Sequence, residues 1–197
     1  LLITVDNGIS SIDGVNKARQ LGIDVMVTDH HLPGPDLPNA NVIVNPNLKD
    51  SKFISRNLAG VGVAFYLMAG LGRELQLKGQ ADAAKISARY LDLVALGTVA
   101  DVVKLDFNNR ILVNEGLKRI QNKQCVPGIL SLIKQSGKDY SKLTSMDLGF
   151  SLGPKINAAG RLEDISIGIE CLITEDDSVA MQCAASLIEK NKKRQNI

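Results

Sequence analysis

The sequence predicts an α/β fold in which a parallel sheet with flanking helices leads into a mostly helical region. Three observations predict it. Residues 1–5, Leu-Leu-Ile-Thr-Val, are a continuous apolar and β-branched run, the pattern of a strand buried on both faces of a parallel sheet. A helical period follows over 12–21, with Ile12, Val15, Ala18 and Leu21 on one face. A second apolar run, Ile23 to Thr28, then returns as a strand. A strand–helix–strand unit this short makes the two strands parallel and the crossover right-handed.

Asp6-Asn7-Gly8 breaks the first strand, Ser10 or Ser11 caps the helix, and Gly22 ends it. Residues 29–41 hold Pro33, Gly34, Pro35 and Pro38 and read as a loop. Val42-Ile43-Val44 is a third short strand, closed by Asn45-Pro46-Asn47. Helical periodicity then dominates: 57–77, rich in glycine, then 83–100, 108–122, and 127–135 with Pro127 in its first turn. Thr144 with Asp147 reads as a capping pair for a helix ending near Gly153-Pro154. Thr174 with Asp177 reads as the start of a last helix over 176–194. No internal repeat or low-complexity stretch interrupts this order. The expected division is an α/β domain over 1–105 and a helical remainder over 106–197.

Composition excludes more than it assigns. At 45% hydrophobic and 22% charged over 197 residues the chain can bury a core, so disorder is excluded as its main state. No apolar run reaches the roughly 18–20 residues of a membrane span, and no signal peptide is evident, so a cytoplasmic protein without a membrane partner is expected. Three widely spaced cysteines (Cys125, Cys171, Cys183) fit buried small hydrophobes in a reducing compartment rather than a disulfide framework or zinc site. A net charge of +2 does not announce nucleic acid, and without tryptophan base-stacking platforms are scarce. The chain opens without methionine inside an apolar run and ends in a basic helical run, as though cut from something longer.

The motifs carry the chemistry. Asp6 follows the first strand and Asp29-His30-His31 the second, so both fall at the carboxyl edge of the sheet, where open α/β folds bind ligands. Carboxylate with imidazole suits manganese, zinc or iron; carboxylate with water suits magnesium. Taken alone, Asp6-Asn7-Gly8 is as readily a plain turn, and Asp29-His30-His31 a solvated loop. Asp101 ends the apolar stretch Leu96-Gly97-Thr98-Val99-Ala100, where a buried carboxylate needs a partner or a cation. Gly153 to Leu162 combines small residues at 158–160 with Lys155, Asn157 and Arg161. That set suits a phosphate, with Arg161 as the bidentate partner or, on the plainer reading, as part of a surface face. The basic tail of Lys190, Lys192, Lys193 and Arg194 reads as a solvated helix end.

In this order, Thr4-Val5-Asp6-Asn7-Gly8, Val27 to Gly34, Gly97 to Asp101 and Gly153 to Leu162 resemble the DHH phosphoesterase superfamily, most closely its RecJ branch of single-strand-specific DNA exonucleases. Asn45-Pro46-Asn47 and Leu58 to Phe65 share the resemblance, which covers nearly the whole chain. It implies a two-metal phosphodiesterase using Mn2+ or Mg2+ that degrades single-stranded DNA from the 5′ end in repair and recombination. Asp6 would bridge the metals. His30, His31 and Asp101 would complete the cluster or contact phosphate, and Asp29 would orient a histidine. Single-strand-binding protein and a helicase are the implied partners. The resemblance also implies that the domain lacks its first strand or strands and their Asp-x-Asp-x-Asp-Gly cluster. A chain of this extent is therefore expected to be inactive by itself and to leave an unpaired sheet edge. Lys104 stands where the resemblance leads one to expect proline, and Lys155 where it leads one to expect arginine. A DHH hydrolase of oligonucleotides, cyclic dinucleotides or pyrophosphate, and a non-catalytic DHH scaffold, are the alternatives.

Overall fold

In a computed structural model of the chain, β1 (Leu2–Val5), β2 (Val25–Thr28) and β3 (Val42–Val44) form a parallel sheet in the order β1-β2-β3. The structure describes residues 1–162 and 165–195, with side chains for 1–158 and 165–193. It divides into two compact units: 1–87 with 103–110, and 88–102 with 111–197.

In the first unit the register pairs Val5 with Thr28 and Thr28 with Val44. The next residues, Asp6, Asp29 and Asn45, therefore leave three adjacent strands at the same level of the carboxyl edge. β2 is the buried strand, its Val25 and Val27 packing with Val15 of α1 (Ile12–Gln20) and with Ala18, Ala40 and Ile43. β1 departs from the expectation of burial on both faces. It pairs with β2 alone among the described residues, and Leu2, Ile3 and Val5 are exposed. Ser11 precedes α1 without a side-chain cap, and Gly22 turns the chain out of it at φ 75°.

Several other boundaries differ from those expected. The helix expected over 57–77 starts at Gly60 as α2 (Gly60–Leu77), because Ala59 is still extended. The single helix expected over 83–100 is instead two 3₁₀ turns, Ala83–Lys85 and Ser87–Tyr90, followed by α3 (Leu91–Ala100). α4 (Phe107–Gln121) has its first turn in the first unit and its remainder in the second.

The second unit is helical. Its core joins Ala95 and Leu96 of α3 with Ile120, with Ile129, Leu132 and Ile133 of α5 (Pro127–Gln135), and with Ala184 and Leu187 of α9 (Asp177–Gln195). Thr144 and Asp147 form the expected capping box, which opens the short α6 (Ser145–Asp147). The helical path does not end near Pro154. A π-helical turn, Leu148–Leu152, passes into α7 (Gly153–Leu162), where Pro154 occupies a first-turn position that needs no backbone donor. α8 (Ser166–Ile173) was not foreseen. The start of α9 is capped by Asp176, whose Oδ1 accepts from Ser178 N and Val179 N, rather than by Thr174. The three cysteines are free thiols, and burial pushes Cys125 up to about 12 and Cys171 up to about 11, so both stay protonated at neutral pH. No helix among the described residues is long and apolar enough to cross a membrane.

Candidate metal centre

The site is built where β1 and β2 end. Thr4 Oγ1 donates to Asn7 O at 2.7 Å and closes the turn after β1. Within that turn Asp6 takes φ 64°, a left-handed conformation that aspartate tolerates at some cost. Gly8 completes the turn at φ 110°, where a side chain would be strained and would strike Thr4. Gly60, the first residue of α2, faces Asp6 so closely that a Cβ there would collide with the carboxylate.

Asp29, 1% exposed, organises the second strand end. Its Oδ2 accepts from Ile9 N at 2.9 Å. Its Oδ1 accepts from His30 N at 2.7 Å, His31 N at 3.1 Å and His31 Nδ1 at 2.7 Å. Burial alone would raise its pKa, but these bonds outweigh burial and hold it below the usual carboxylate value. Because an ionised carboxylate only accepts, His31 Nδ1 carries the proton toward Asp29 and Nε2 is left to meet a ligand.

His30 meets Asp6 instead. Its Nε2 lies 3.1 Å from Asp6 Oδ1, and its ring is mostly buried, whereas the His31 side chain is 61% exposed. The two rings are 4.4 Å apart and inclined by 55°. One ligand atom each from Asp6, His30 and His31 falls within 4.8 Å of the others. A carboxylate and two imidazoles, one fixed in tautomer by an aspartate, are a donor set that fits a divalent transition ion.

Two residues read from the sequence as the close of a strand and as part of the resemblance, but given no place in the site, prove to hold this loop. Asn45 Nδ2 donates to His31 O at 2.9 Å, and Asn47 Nδ2 donates to His30 O at 2.6 Å. Asn45 Oδ1 accepts from Asn47 N at 2.8 Å, which locks the pair together. The signal was available: Asn45 follows β3 as Asp6 follows β1 and Asp29 follows β2.

The remaining candidates belong to the second unit. Asp101 terminates α3, its N–H bonded to Gly97 O at 2.9 Å. It is exposed, so the expectation that apolar neighbours bury its carboxylate is corrected. Gly153 to Leu162 is the helix α7, and the small residues credited with admitting a phosphate include Ala158, which is fully buried in packing. Lys155 Nζ donates to Ser151 O at 2.6 Å and Ser151 Oγ at 3.1 Å, and burial holds its pKa below the usual lysine value. Asn157 is exposed. The Arg161 and Arg194 side chains lie outside the described residues.

Residues 1–98 match the DHH family, N-terminal domain. Over its full length the chain is 54% identical to a single-stranded-DNA-specific exonuclease RecJ of Salmonella typhimurium and 34% identical to that of Thermus thermophilus, covering 35% and 28% of those proteins. Among solved structures, a RecJ bound to manganese superposes at a TM-score of 0.85 with 34% identity, over 98% of this chain and 47% of that one. The Thermus thermophilus RecJ–Mn2+ complex gives 0.84 with 35% identity, over 98% and 28%. The chain thus spans about a third of the length of the curated relatives it matches. The domain match and an alignment that leaves no part of the sequence out make this chain a member of the DHH family.

Proposed function

We propose that this chain supplies the DHH catalytic segment of a metal-dependent phosphodiesterase, a 5′-to-3′ exonuclease for single-stranded DNA acting in repair and recombination. The observation that carries the reading is the convergence of Asp6, His30 and His31 at one sheet edge. What favours a polynucleotide over pyrophosphate or cyclic dinucleotides is the full-length similarity to proteins named as single-strand-specific exonucleases.

Asp6, His30 and His31 hold manganese or magnesium, with Asp101 as a further ligand. When bound, such ions supply Lewis-acid charge at a phosphodiester and a more acidic water. Asp29 keeps the His31 proton on Nδ1, so that Nε2 faces the ion or the phosphate as an acceptor or, once protonated, as a donor. Asn45 and Asn47 fix the backbone of both histidines. Asn157 and Arg161 contact strand phosphates; Lys155 joins them only by giving up Ser151. In sequence, the α/β domain extends over 1–105 and the helical remainder over 106–197; the family match covers 1–98 of the former, while the compact units put 88–102 with the helices and 103–110 with the sheet. A helicase and a single-strand-binding protein, which generate and hold single strands, suit this substrate as partners, and the free thiols fit work in the cytoplasm.

The test uses the protein at the full length of its relatives, with manganese and a 5′-labelled linear strand beside a circular one, a dinucleotide and pyrophosphate. Stepwise release from the 5′ end with an intact circle is expected. Efficient cutting of the circle, or preference for the small substrates, overturns the reading.

A further inference from the structure

A cleft of about 380 Å3 opens beside His30 in the first unit, lined among others by Asn47, Arg56, Asn57, Val103 and Lys104. It brings together two cations from segments nearly fifty residues apart. Asp106 and Asn109 hold both segments. Asp106 Oδ2 accepts from Ser55 Oγ at 2.7 Å and Asn57 Nδ2 at 2.9 Å, which ties down the residues on either side of Arg56. Asn109, fully buried, donates from Nδ2 to Asn57 O at 2.6 Å and Lys104 O at 2.9 Å. Its own N–H returns to Asp106 Oδ1 at 3.0 Å. One aspartate and one asparagine therefore fix the backbone from which both cations project.

Arg56 and Lys104 are exposed, and neither has an ion-pair partner among the described residues. Two exposed cations on a fixed frame beside an imidazole suit an anion. A guanidinium suits two oxygens of a phosphate, and an ammonium a third. Lys104, where the resemblance leads one to expect proline, adds a charge that the shared motifs do not supply.

We propose that Arg56 and Lys104 form a subsite for a backbone phosphate of the bound strand, adjoining His30. This rests on the exonuclease reading and adds to it a contact that fixes the strand next to the metal cluster. At the full length of the relatives, and with EDTA to prevent cleavage, anisotropy of a 3′-fluorescein, 5′-phosphorylated oligothymidylate is measured over a salt series. Arg56→Ala and Lys104→Ala are each expected to weaken binding about tenfold, a charge-assisted hydrogen bond converted to affinity. Loss of one phosphate contact lowers the log–log salt slope by about 0.7. Arg56→Lys should keep the slope and lose part of the affinity. Manganese binding, read by electron paramagnetic resonance, should match the parent in every variant, as should the melting temperature. Parental affinity and slope in the Arg56→Ala/Lys104→Ala double variant overturn the subsite while leaving the exonuclease reading intact. A parent protein that binds no single strand overturns both.

Discussion

Replacing Gly60 by alanine tests how tightly the fold sets Asp6. A Cβ built on Gly60 lies 2.6 Å from Asp6 Cβ and nearer still to the carboxylate. Ordinary carbon–carbon contact begins near 3.5 Å, so the pair must open by about 1 Å. The contact reaches the root of the side chain, so a rotation that clears only the carboxylate tip does not relieve it. Asp6 must shift within a turn already held at positive φ, and a misplacement of about 1 Å costs on the order of 10²-fold in rate. Stability argues the other way, since glycine to alanine in a helix gains about 0.5–1 kcal/mol. Gly60→Ala should therefore retain the fold while losing roughly 10²-fold in manganese-dependent cleavage, with weaker manganese binding. Gly70→Ala is the control: it lies in the same helix with nothing within 4 Å of its built Cβ, and should keep parental activity. The assays are turnover of a 5′-labelled strand at the relatives' full length, and thermal unfolding. Gly60→Ala within a few-fold of the parent would refute the claim that close approach of α2 sets Asp6.

Three other outcomes are expected. Asn47→Ala removes the bond to His30 O and should weaken manganese affinity about 10–100-fold, as loss of outer partners does at metal sites; calorimetric titration showing parental affinity contradicts it. Asp92 is fully buried, its Oδ1 has no hydrogen-bond partner among the described residues, and burial raises its pKa against the Val126 N–H bond at 2.8 Å. The folded protein therefore holds this proton above the unfolded value near 3.9, and stability falls as pH rises from there through the raised value. Asp92→Asn should gain on the parent in melting temperature from pH 4 to 8, and a pH-independent gap contradicts it. Asp147 behaves oppositely: Lys138 at 2.9 Å, then Thr144, holds it down to about 2. Its contribution is present above the unfolded value and lost as pH falls through about 2. Asp147→Ala should cost about 1 kcal/mol at pH 7 in urea unfolding, and the cost should shrink from pH 4 toward 2; a constant difference contradicts it.

The site was legible where strand ends made it so. Val5-Asp6 and Thr28-Asp29 could be placed at one edge because an apolar strand, a helix and a second strand fix a parallel register. Asn45 and Asn47 were passed over because Asn-Pro-Asn also makes a plain turn, and only the hydrogen bonds to His30 and His31 distinguish the two. Gly60 was legible as one glycine of a glycine-rich helix but not as the neighbour of Asp6, since that contact joins residues 54 apart in sequence. The burial of Asp101 was misread because an apolar sequence neighbourhood does not bury a residue at a helix end. α8 was missed because Ser-Ile-Gly-Ile-Glu-Cys-Leu-Ile, with a glycine and three isoleucines, shows neither helical period nor strong propensity. The burial of β1 was misread because an apolar run specifies a strand without specifying its neighbours.

Asp6, His30 and His31 converge as one divalent-metal site at the sheet edge. Manganese titration followed by the loss of its free electron-paramagnetic-resonance signal tests it most directly, in the full-length protein and in its Asp6→Ala variant. Saturable binding is expected in the parent, and in the variant a loss of at least one bound ion together with the manganese-dependent cleavage. Unchanged stoichiometry and affinity in Asp6→Ala, with cleavage within a few-fold of the parent, would contradict it.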